Sequence, residues 1–262
     1  ELSARLSGLD FSRCRLLVAL DFDGTLSELV TMPDQAVLAA GTRRLLARLS
    51  RRPDTKVAVI SGRALDDVRS RVALPGLYYA GNHGLEIDGP GIRWTHPRAA
   101  GTDAAFRREL DDDFRDFPGA LVEHKRLGFA VHYRGVPPGE LPRLRRRLKA
   151  RLPALTRRYR LLRAKKTYDF RLDVPWGKGD ALRAIRRTLK GAWSAMFVGD
   201  DATDEEAFAA IGPRALTVRI GRVEDSAAQY VLPRRALVDR LLDGLTRRPG
   251  AGAPPEGGHE LV

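Results

Sequence analysis

The chain has 262 residues and a mass of 29.0 kDa, which is enough for one large domain or two modest ones. Its 43% hydrophobic and 30% charged residues are typical of a globular protein, and no apolar run approaches the length of a membrane span. The net charge of +13 alone would be compatible with nucleic-acid binding. The basic residues are scattered, however, and no nucleic-acid-binding motif accompanies them. We expect neither nucleic acid nor membrane as a partner, and the single cysteine, Cys14, indicates a cytoplasmic protein without an intrachain disulfide.

Strands and helices alternate in the first third of the chain. Short apolar runs predict buried strands over residues 16–20, 56–60 and 77–80. Amphipathic patterns between them predict helices over 39–50 and 64–72. This alternation predicts a parallel sheet with right-handed crossovers.

The pattern changes after residue 84 to antiparallel strands separated by helices. The predicted elements are a hairpin over 85–96, a helix over 104–114, a hairpin over 121–133, a helix over 140–152 and strands over 159–163 and 167–172. The parallel pattern resumes at Lys178 and continues to a last helix over 236–245.

We therefore predict an α/β fold in which a Rossmann-like parallel-sheet core carries an inserted α+β cap. The predicted division is a core from 1–92 and 175–246, a cap over 93–174 and a disordered tail over 247–262.

The first chemical motif is Asp-Phe-Asp-Gly-Thr-Leu at residues 21–26, directly after the first strand. In open α/β sheets the reacting groups lie at the carboxyl ends of the strands. Asp21 at such an end can attack phosphorus, hold a divalent cation, or both. A capped turn between strand and helix is the alternative, since Asp and Thr both suit such turns.

A second acidic motif, Gly-Asp-Asp-Ala-Thr-Asp-Glu-Glu at residues 199–206, follows another apolar run. Thr203 and Glu206 fit a capping box that begins a helix. Asp200 and Asp201 precede that predicted cap at a strand end. They are better explained as hard oxygen ligands for Mg²⁺.

Two weaker motifs offer partners for phosphate. Ser-Gly-Arg at 61–63 follows the second strand with a hydroxyl and a guanidinium, although this tripeptide also occurs by chance. Lys178 opens a helical stretch, where a cation opposes the helix dipole unless an anion lies there.

Within the predicted cap, alternate residues of each strand share a face. Glu123 and Lys125 lie on one face of their strand, as do His132 and Arg134 on the next, and Asp169 lies on the polar face of the last. The opposite, apolar faces are predicted to pack on the two cap helices. A solvated outer face with ordinary salt bridges is the alternative for the polar side.

The order of these motifs resembles the haloacid dehalogenase superfamily and, more narrowly, the trehalose-6-phosphate phosphatases. Four further stretches support the narrower resemblance, which covers residues 16–242: Gly-Asn-His-Gly at 81–84, Glu-His-Lys at 123–125, His-Tyr-Arg at 132–134 and Asp-Phe-Arg at 169–171. The chain departs from the family at Asp169-Phe170-Arg171-Leu172, where Glu-Val-Arg-Pro is usual.

The resemblance implies a haloacid dehalogenase-type core and Mg²⁺-dependent hydrolysis of trehalose 6-phosphate through an aspartyl-phosphate. Asp21 would be the nucleophile and Asp23 the general acid and base, while Ser61 and Lys178 would contact the phosphate. The implied metal ligands are Asp21, the Asp23 carbonyl and Asp200, with Asp204, or alternatively Asp201, positioning a metal-bound water.

The resemblance also implies a substrate-binding set formed by Arg63, Asn82, His83, Glu123, Lys125, Arg134, Lys165 and Asp169. The expected partner is a small-molecule sugar phosphate bound by a monomer, and the implied pathway contains a trehalose-6-phosphate synthase. Two alternatives stay open. One is a sibling phosphatase for another phosphorylated disaccharide, pseudodisaccharide or sugar-glycerate; the other is a noncatalytic basic binding protein with the same fold.

Overall fold

The computed structural model describes residues 15–30, 32–99, 104–125, 127–164, 166–211 and 215–248. These residues form two β-sheets, each covered by helices. Within these ranges, no helix combines the length and the apolar character needed to cross a bilayer.

The larger sheet has eight strands in the order β12-β11-β10-β1-β2-β3-β4-β5. Its strands are β1 (Arg15–Leu20), β2 (Thr55–Ile60), β3 (Tyr78–Gly81), β4 (Glu86–Gly89), β5 (Ile92–Thr95), β10 (Trp193–Gly199), β11 (Leu216–Ile220) and β12 (Tyr230–Leu232). The strands from β12 to β3 are parallel, whereas β4 and β5 add an antiparallel edge.

Among the described residues, five helices cover this sheet on its two faces. They are α1 (Ala40–Ser50), α2 (Leu65–Val72), α5 (Lys178–Thr188), α6 (Ala202–Ala210) and α7 (Ala236–Arg247). Apolar side chains of α1, α2 and α7 pack on one face, and those of α5 and α6 pack on the other. Because both faces are covered, residues 16–20 of β1 are buried and apolar without alternation, as is typical of buried parallel strands.

The smaller sheet is antiparallel, with the order β6-β7-β9-β8. Its strands are β6 (Leu121–Lys125), β7 (Gly128–His132), β8 (Tyr159–Ala164) and β9 (Thr167–Leu172), and its helices are α3 (Ala104–Phe114) and α4 (Leu141–Leu155). Phe129, Val131 and Phe170 on one sheet face form a core with Leu110 of α3 and Leu144 of α4. The apolar faces therefore pack on the two cap helices, as predicted.

The α/β class and the parallel core are confirmed, and the structure corrects three boundaries. The predicted division at 92–93 falls inside β5, which belongs to the large sheet because it pairs with β4. Helix α4 continues three residues past the predicted end at 152, since Leu155 still packs in the cap core. Helix α7 ends at Arg247, inside the predicted tail; the tail beyond Arg248 lies outside the described residues.

Candidate active site

Strand register brings the sequence motifs together at one edge of the large sheet. Strand β1 lies between β10 and β2, with Leu20 opposite Val198 on one side and Val59 on the other. Asp21, Asp200 and Ser61 follow the last residues of these three strands. The carboxyl ends of parallel strands meet at one edge, so these three residues lie at the same edge of the sheet.

Three carboxylates form the centre of this edge. Oxygens of Asp21, Asp200 and Asp204 lie within 4.8 Å of one another. Asp21 and Asp204 are almost fully buried, at 3% and 0% exposure. Carboxylate oxygens at such spacing are a suitable donor set for a hard divalent cation such as Mg²⁺.

Lys178, the first residue of α5, bridges two of these carboxylates. Its Nζ donates to Asp21 Oδ1 at 2.8 Å and to Asp204 Oδ1 at 2.7 Å. Burial disfavours the charged amine, but Asp204 and Asp21 raise the pKa of Lys178 well above its ordinary value. The lysine is therefore held charged beside Asp21, and its position at the start of a helix is explained by the acidic groups that it contacts.

One ammonium group does not balance the charge of these three clustered carboxylates. Burial, and then the neighbouring Asp204 and Asp201, raise the pKa of Asp200 to about 7. Burial also raises the pKa of Asp204 to about 6 and that of Asp21 above its ordinary value. A bound cation would relieve this repulsion, so the residues present fit the metal that the family resemblance implies.

The turn between β10 and α6 is fixed by hydrogen bonds between its backbone N–H groups and nearby aspartate side chains. Asp204 Oδ2 accepts the N–H groups of Asp200 and Asp201 at 2.9 and 3.0 Å. The Asp201 carboxylate accepts the N–H groups of Thr203 and Asp204, so Asp201 is the N-cap. The predicted Thr203–Glu206 capping box is therefore wrong, because the Asp201–Asp204 pair forms the reciprocal bonds two residues earlier.

Gly24 allows Asp200 to lie across the loop that follows β1. A Cβ on Gly24 would overlap the Asp200 carboxylate, and the φ of +80° at Gly24 disfavours any other residue. Thr25 Oγ1 donates to Asp200 Oδ1 at 3.3 Å. The Asp-Gly-Thr part of the first motif thus positions the second acidic motif.

The Asp23 carboxylate is paired with the Arg63 guanidinium. Arg63 Nε and one terminal nitrogen donate to the two Asp23 oxygens, each at 2.7 Å. Asp67 and the Pro33 carbonyl accept further guanidinium hydrogens, and the guanidinium lies over the Phe22 ring. The Arg63 donors are thus turned to Asp23 and Asp67, and the substrate contact of Arg63 stays a prediction. The i,i+4 spacing of Arg63 and Asp67 is the sequence signal that could have indicated this pair.

Ser61 lies at the end of β2 and is fully buried. Its hydroxyl oxygen accepts the Arg63 backbone N–H at 3.1 Å. The structure therefore places Ser61 beside the turn that carries Arg63.

A cavity of about 920 Å³ separates this edge from the smaller sheet. Its core side includes Asp21, Asp23, Arg63, Lys178 and Asp200, together with the apolar loop residues Leu29, Val30 and Met32. Its cap side is the polar face of the smaller sheet, with Glu123, Lys125, His132, Arg134, Thr167 and Asp169. The predicted polar face thus lines the cavity.

Hydrogen bonds order this polar face. Lys125 Nζ donates to Asp169 Oδ1 at 2.7 Å, and His132 Nε2 lies 2.8 Å from Glu123 Oε2. His132 Nδ1 lies 3.1 Å from Thr167 Oγ1. His132 and Thr167 were missing from the predicted binding set, although their strand parity indicated the same face. Lys165 lies outside the described residues.

His83 and Asn82 take different positions in the turn after β3. His83 lines the cavity in a left-handed conformation, with φ of 58°, and its Nε2 lies 3.5 Å from Asp169 Oδ2. Asn82 is not among the described residues that line the large cavity, and its side-chain amide donates to Glu86 at 2.5 Å. The structure therefore brings His83 to the site, whereas the buried amide of Asn82 supports the turn. The binding role of Asn82 stays a prediction.

The fold and the site together define a class of protein. A parallel-sheet core with an acidic cluster at its strand ends and an α+β cap above it is a haloacid dehalogenase-type architecture. Comparison with known proteins narrows this class. The trehalose-phosphatase family model matches residues 19–234, and the chain belongs to that family.

Individual relatives agree with this assignment. The trehalose-phosphate phosphatase of Mycobacterium tuberculosis (strain H37Rv) is 37% identical over 246 residues, which cover 88% of this chain and 61% of that protein. The Mycobacterium avium (strain 104) trehalose-phosphate phosphatase is 37% identical over 254 residues, covering 89% and 63%. The chain thus spans about 61% of the length of the first of these relatives.

A solved structure supports the same fold. The C-terminal domain of the C. albicans trehalose-6-phosphate phosphatase superposes with a TM-score of 0.76 at 22% identity, covering 92% of this chain and 96% of that one. The family resemblance inferred from the motifs is therefore confirmed.

Proposed function

We propose that the chain hydrolyses trehalose 6-phosphate to trehalose and phosphate in a Mg²⁺-dependent reaction through an aspartyl-phosphate at Asp21. The observation that carries the proposal is the position of Asp21. It is buried, held by Lys178, and lines a cavity whose opposite wall is a polar sheet face. Family membership supports the same substrate.

In the first step, a carboxylate oxygen of Asp21 attacks phosphorus and the bond from phosphorus to the sugar oxygen breaks. Lys178 holds Asp21 Oδ1, which leaves Oδ2 for the attack. Lys178 is also near enough to stabilise negative charge that spreads over the phosphoryl oxygens.

Asp23 supplies the proton that the sugar oxygen needs on departure. In the second step it takes a proton from the water that attacks the aspartyl-phosphate, which releases phosphate and regenerates Asp21. Both Asp23 oxygens accept hydrogen bonds from Arg63, so Asp23 must turn away from the guanidinium to reach the sugar oxygen.

Asp21, Asp200 and the Asp23 carbonyl would hold Mg²⁺, and the buried Asp204 beside them would position a metal-bound water. The bound cation would offset the repulsion between the Asp21 carboxylate and an anionic phosphate.

The polar face of the cap would bind the sugar that lies away from the phosphate. Glu123 and His132 form one pair across it, and Lys125 and Asp169 form another. Groups of this kind select against a substrate that leaves them unpaired. A sibling phosphatase for a different phosphorylated disaccharide is the second candidate. The observation that favours this second candidate is Asp169, whose side chain is shorter than the family's usual Glu and accepts a hydrogen bond from Lys125.

The test is phosphate release from a panel containing trehalose 6-phosphate, sucrose 6-phosphate, glucose 6-phosphate and 4-nitrophenyl phosphate, with Mg²⁺ and with EDTA. We expect the highest kcat/KM on trehalose 6-phosphate and loss of all activity in EDTA that Mg²⁺ restores. A higher kcat/KM on another disaccharide phosphate would favour the second candidate. No phosphate release from any substrate would reject the enzymatic proposal.

A further inference from the structure

Arg219 is a charged residue in a fully buried strand whose other residues, apart from Thr217, are apolar. It lies in β11, opposite Gly199 of β10, and its side chain is 9% exposed. Burying an isolated guanidinium is costly, and a well-packed apolar residue is commonly as good or better for stability. The contacts of Arg219 therefore need an explanation beyond packing.

The Arg219 guanidinium reaches the backbone of the loop that carries Asp200. One terminal nitrogen donates to the Asp200 carbonyl at 2.8 Å. The other donates to the Asp201 carbonyl at 3.2 Å and to Glu205 Oε1 at 2.5 Å. These two carbonyls belong to the same residues whose N–H groups bond Asp204 Oδ2.

The loop is therefore held from both sides. Asp204 fixes the N–H groups of Asp200 and Asp201, and Arg219 fixes their carbonyls. With both ends of these residues fixed, the Asp200 carboxylate is directed over Gly24 into the carboxylate cluster. Glu205 in turn anchors Arg219 and also accepts the Ser226 hydroxyl and the Ala227 N–H, at 2.9 and 2.7 Å.

We propose that Arg219 is a positioning residue for the magnesium site: it holds the Asp200 and Asp201 carbonyls so that the Asp200 carboxylate faces Asp21. This inference rests on the proposed metal-dependent function. Arg219 acts through the loop and does not touch the substrate.

Two roles of Arg219, positioning Asp200 and repelling Mg²⁺ as a nearby cation, predict opposite changes in Mg²⁺ affinity when Arg219 is removed. Arg219 is a cation near the place where Mg²⁺ would bind, so removing its charge alone should tighten Mg²⁺ binding. Losing the position of Asp200 should weaken Mg²⁺ binding instead. Removing residues that orient metal ligands typically weakens metal affinity by about 10–100-fold.

The experiment compares wild type with Arg219→Met, which keeps much of the side-chain volume. Mg²⁺ is titrated while its binding is followed by calorimetry and by the rise in Tm, and Mg²⁺ activation of phosphate release is measured alongside. We expect all three midpoints to move to at least ~10-fold higher Mg²⁺ in Arg219→Met. Arg222→Met is the matched control, because Arg222 is exposed in the next loop and its loss changes the net charge equally; its midpoints should match wild type.

Two further variants keep the test decisive if Arg219→Met does not fold. Arg219→Lys keeps the charge but cannot span two carbonyls and Glu205, and Glu205→Gln weakens the anchor of Arg219. Both should weaken Mg²⁺ binding. Unchanged or tighter Mg²⁺ binding in the folded Arg219 variants would overturn the proposal. Absence of Mg²⁺ binding in wild type would instead count against the proposed function.

Discussion

Asp169 contacts Lys125 in the cap and His83 in the core. The Asp169→Asn variant tests whether these contacts contribute to substrate binding. Its carboxylate accepts Lys125 Nζ at 2.7 Å and lies 3.5 Å from His83 Nε2. The substitution keeps the shape of the side chain and removes its charge. Lys125 then remains as a buried cation without its carboxylate partner.

The magnitude follows from the burial of the pair. Removing one partner of a deeply buried ion pair costs about 3–5 kcal/mol, and a hydrogen bond to a charged group contributes about 1.5–3 kcal/mol. The Lys125 and Asp169 side chains are 15% and 14% exposed, so solvent screens part of the loss. We expect the free energy of unfolding to fall by ~2–3 kcal/mol, which lowers Tm by roughly 4–12 °C in a chain of this size.

The pH dependence of this loss has a definite sign. Burial disfavours the Asp169 carboxylate, but Lys125 and His83 more than offset it and lower the pKa of Asp169 below its ordinary range. The folded chain therefore binds fewer protons at this site than the unfolded chain. The stabilisation is complete above the unfolded pKa of about 3.9 and is lost as pH falls through the folded pKa. The Tm difference between wild type and Asp169→Asn should shrink below about pH 4.

The assay measures kcat/KM on trehalose 6-phosphate and on 4-nitrophenyl phosphate, with Tm measured across pH. We expect at least a ~10-fold loss on trehalose 6-phosphate, the equivalent of one lost charged hydrogen bond, and near wild-type turnover of the small aryl phosphate. Asp169→Glu, which restores the acid usual in the family, should retain activity on trehalose 6-phosphate. Equal losses on both substrates in Asp169→Asn would refute the reasoning, because Asp169 would then serve folding and not the distant sugar.

Two further predictions concern the acidic cluster. Gly24→Ala should lower kcat/KM and weaken Mg²⁺ binding by at least ~10-fold, because its Cβ meets the Asp200 carboxylate. Gly76→Ala has a similar φ of +77° with open space around it, so it should lower the free energy of unfolding by about 1 kcal/mol and leave kinetics unchanged; matching kinetics in the two variants would contradict the role of Gly24. Because the folded pKa values of Asp200 and Asp204 are about 7 and about 6, the metal-free folded chain binds more protons than the unfolded chain between about pH 4 and 7. These carboxyls therefore destabilise it as pH rises through that window. Mg²⁺ should raise Tm more at pH 8 than at pH 5.5 in a thermal scan against EDTA, and a pH-independent increment would argue against these carboxylates as the ligands.

Much of the site could be predicted because the topology of a parallel sheet places strand ends together. Asp21, Asp200 and Lys178 each stood at the end of an apolar run or the start of a helix. The polar cap face followed from the two-residue period of strands, which needs no knowledge of distant contacts. Backbone periodicity is local information, and it was sufficient for these residues.

Partner choice between distant side chains could not be predicted in the same way. Asp23 and Arg63 are forty residues apart, and the chain offers 46 basic residues as partners. The capping box was misplaced because Asp201 and Thr203 are both good N-caps, and only the backbone geometry separates them. Arg219 did carry a sequence signal, since an arginine inside a buried parallel strand requires buried partners.

The central claim, that Asp21 attacks the phosphate of trehalose 6-phosphate, is tested most directly by comparing wild type with Asp21→Asn. The measurement is phosphate release from trehalose 6-phosphate at saturating Mg²⁺, with matched circular dichroism spectra and with deamidation excluded by mass spectrometry. We expect steady turnover by wild type and no turnover above background by the folded variant, because an amide is a poor nucleophile. Substantial turnover by folded Asp21→Asn would contradict the account.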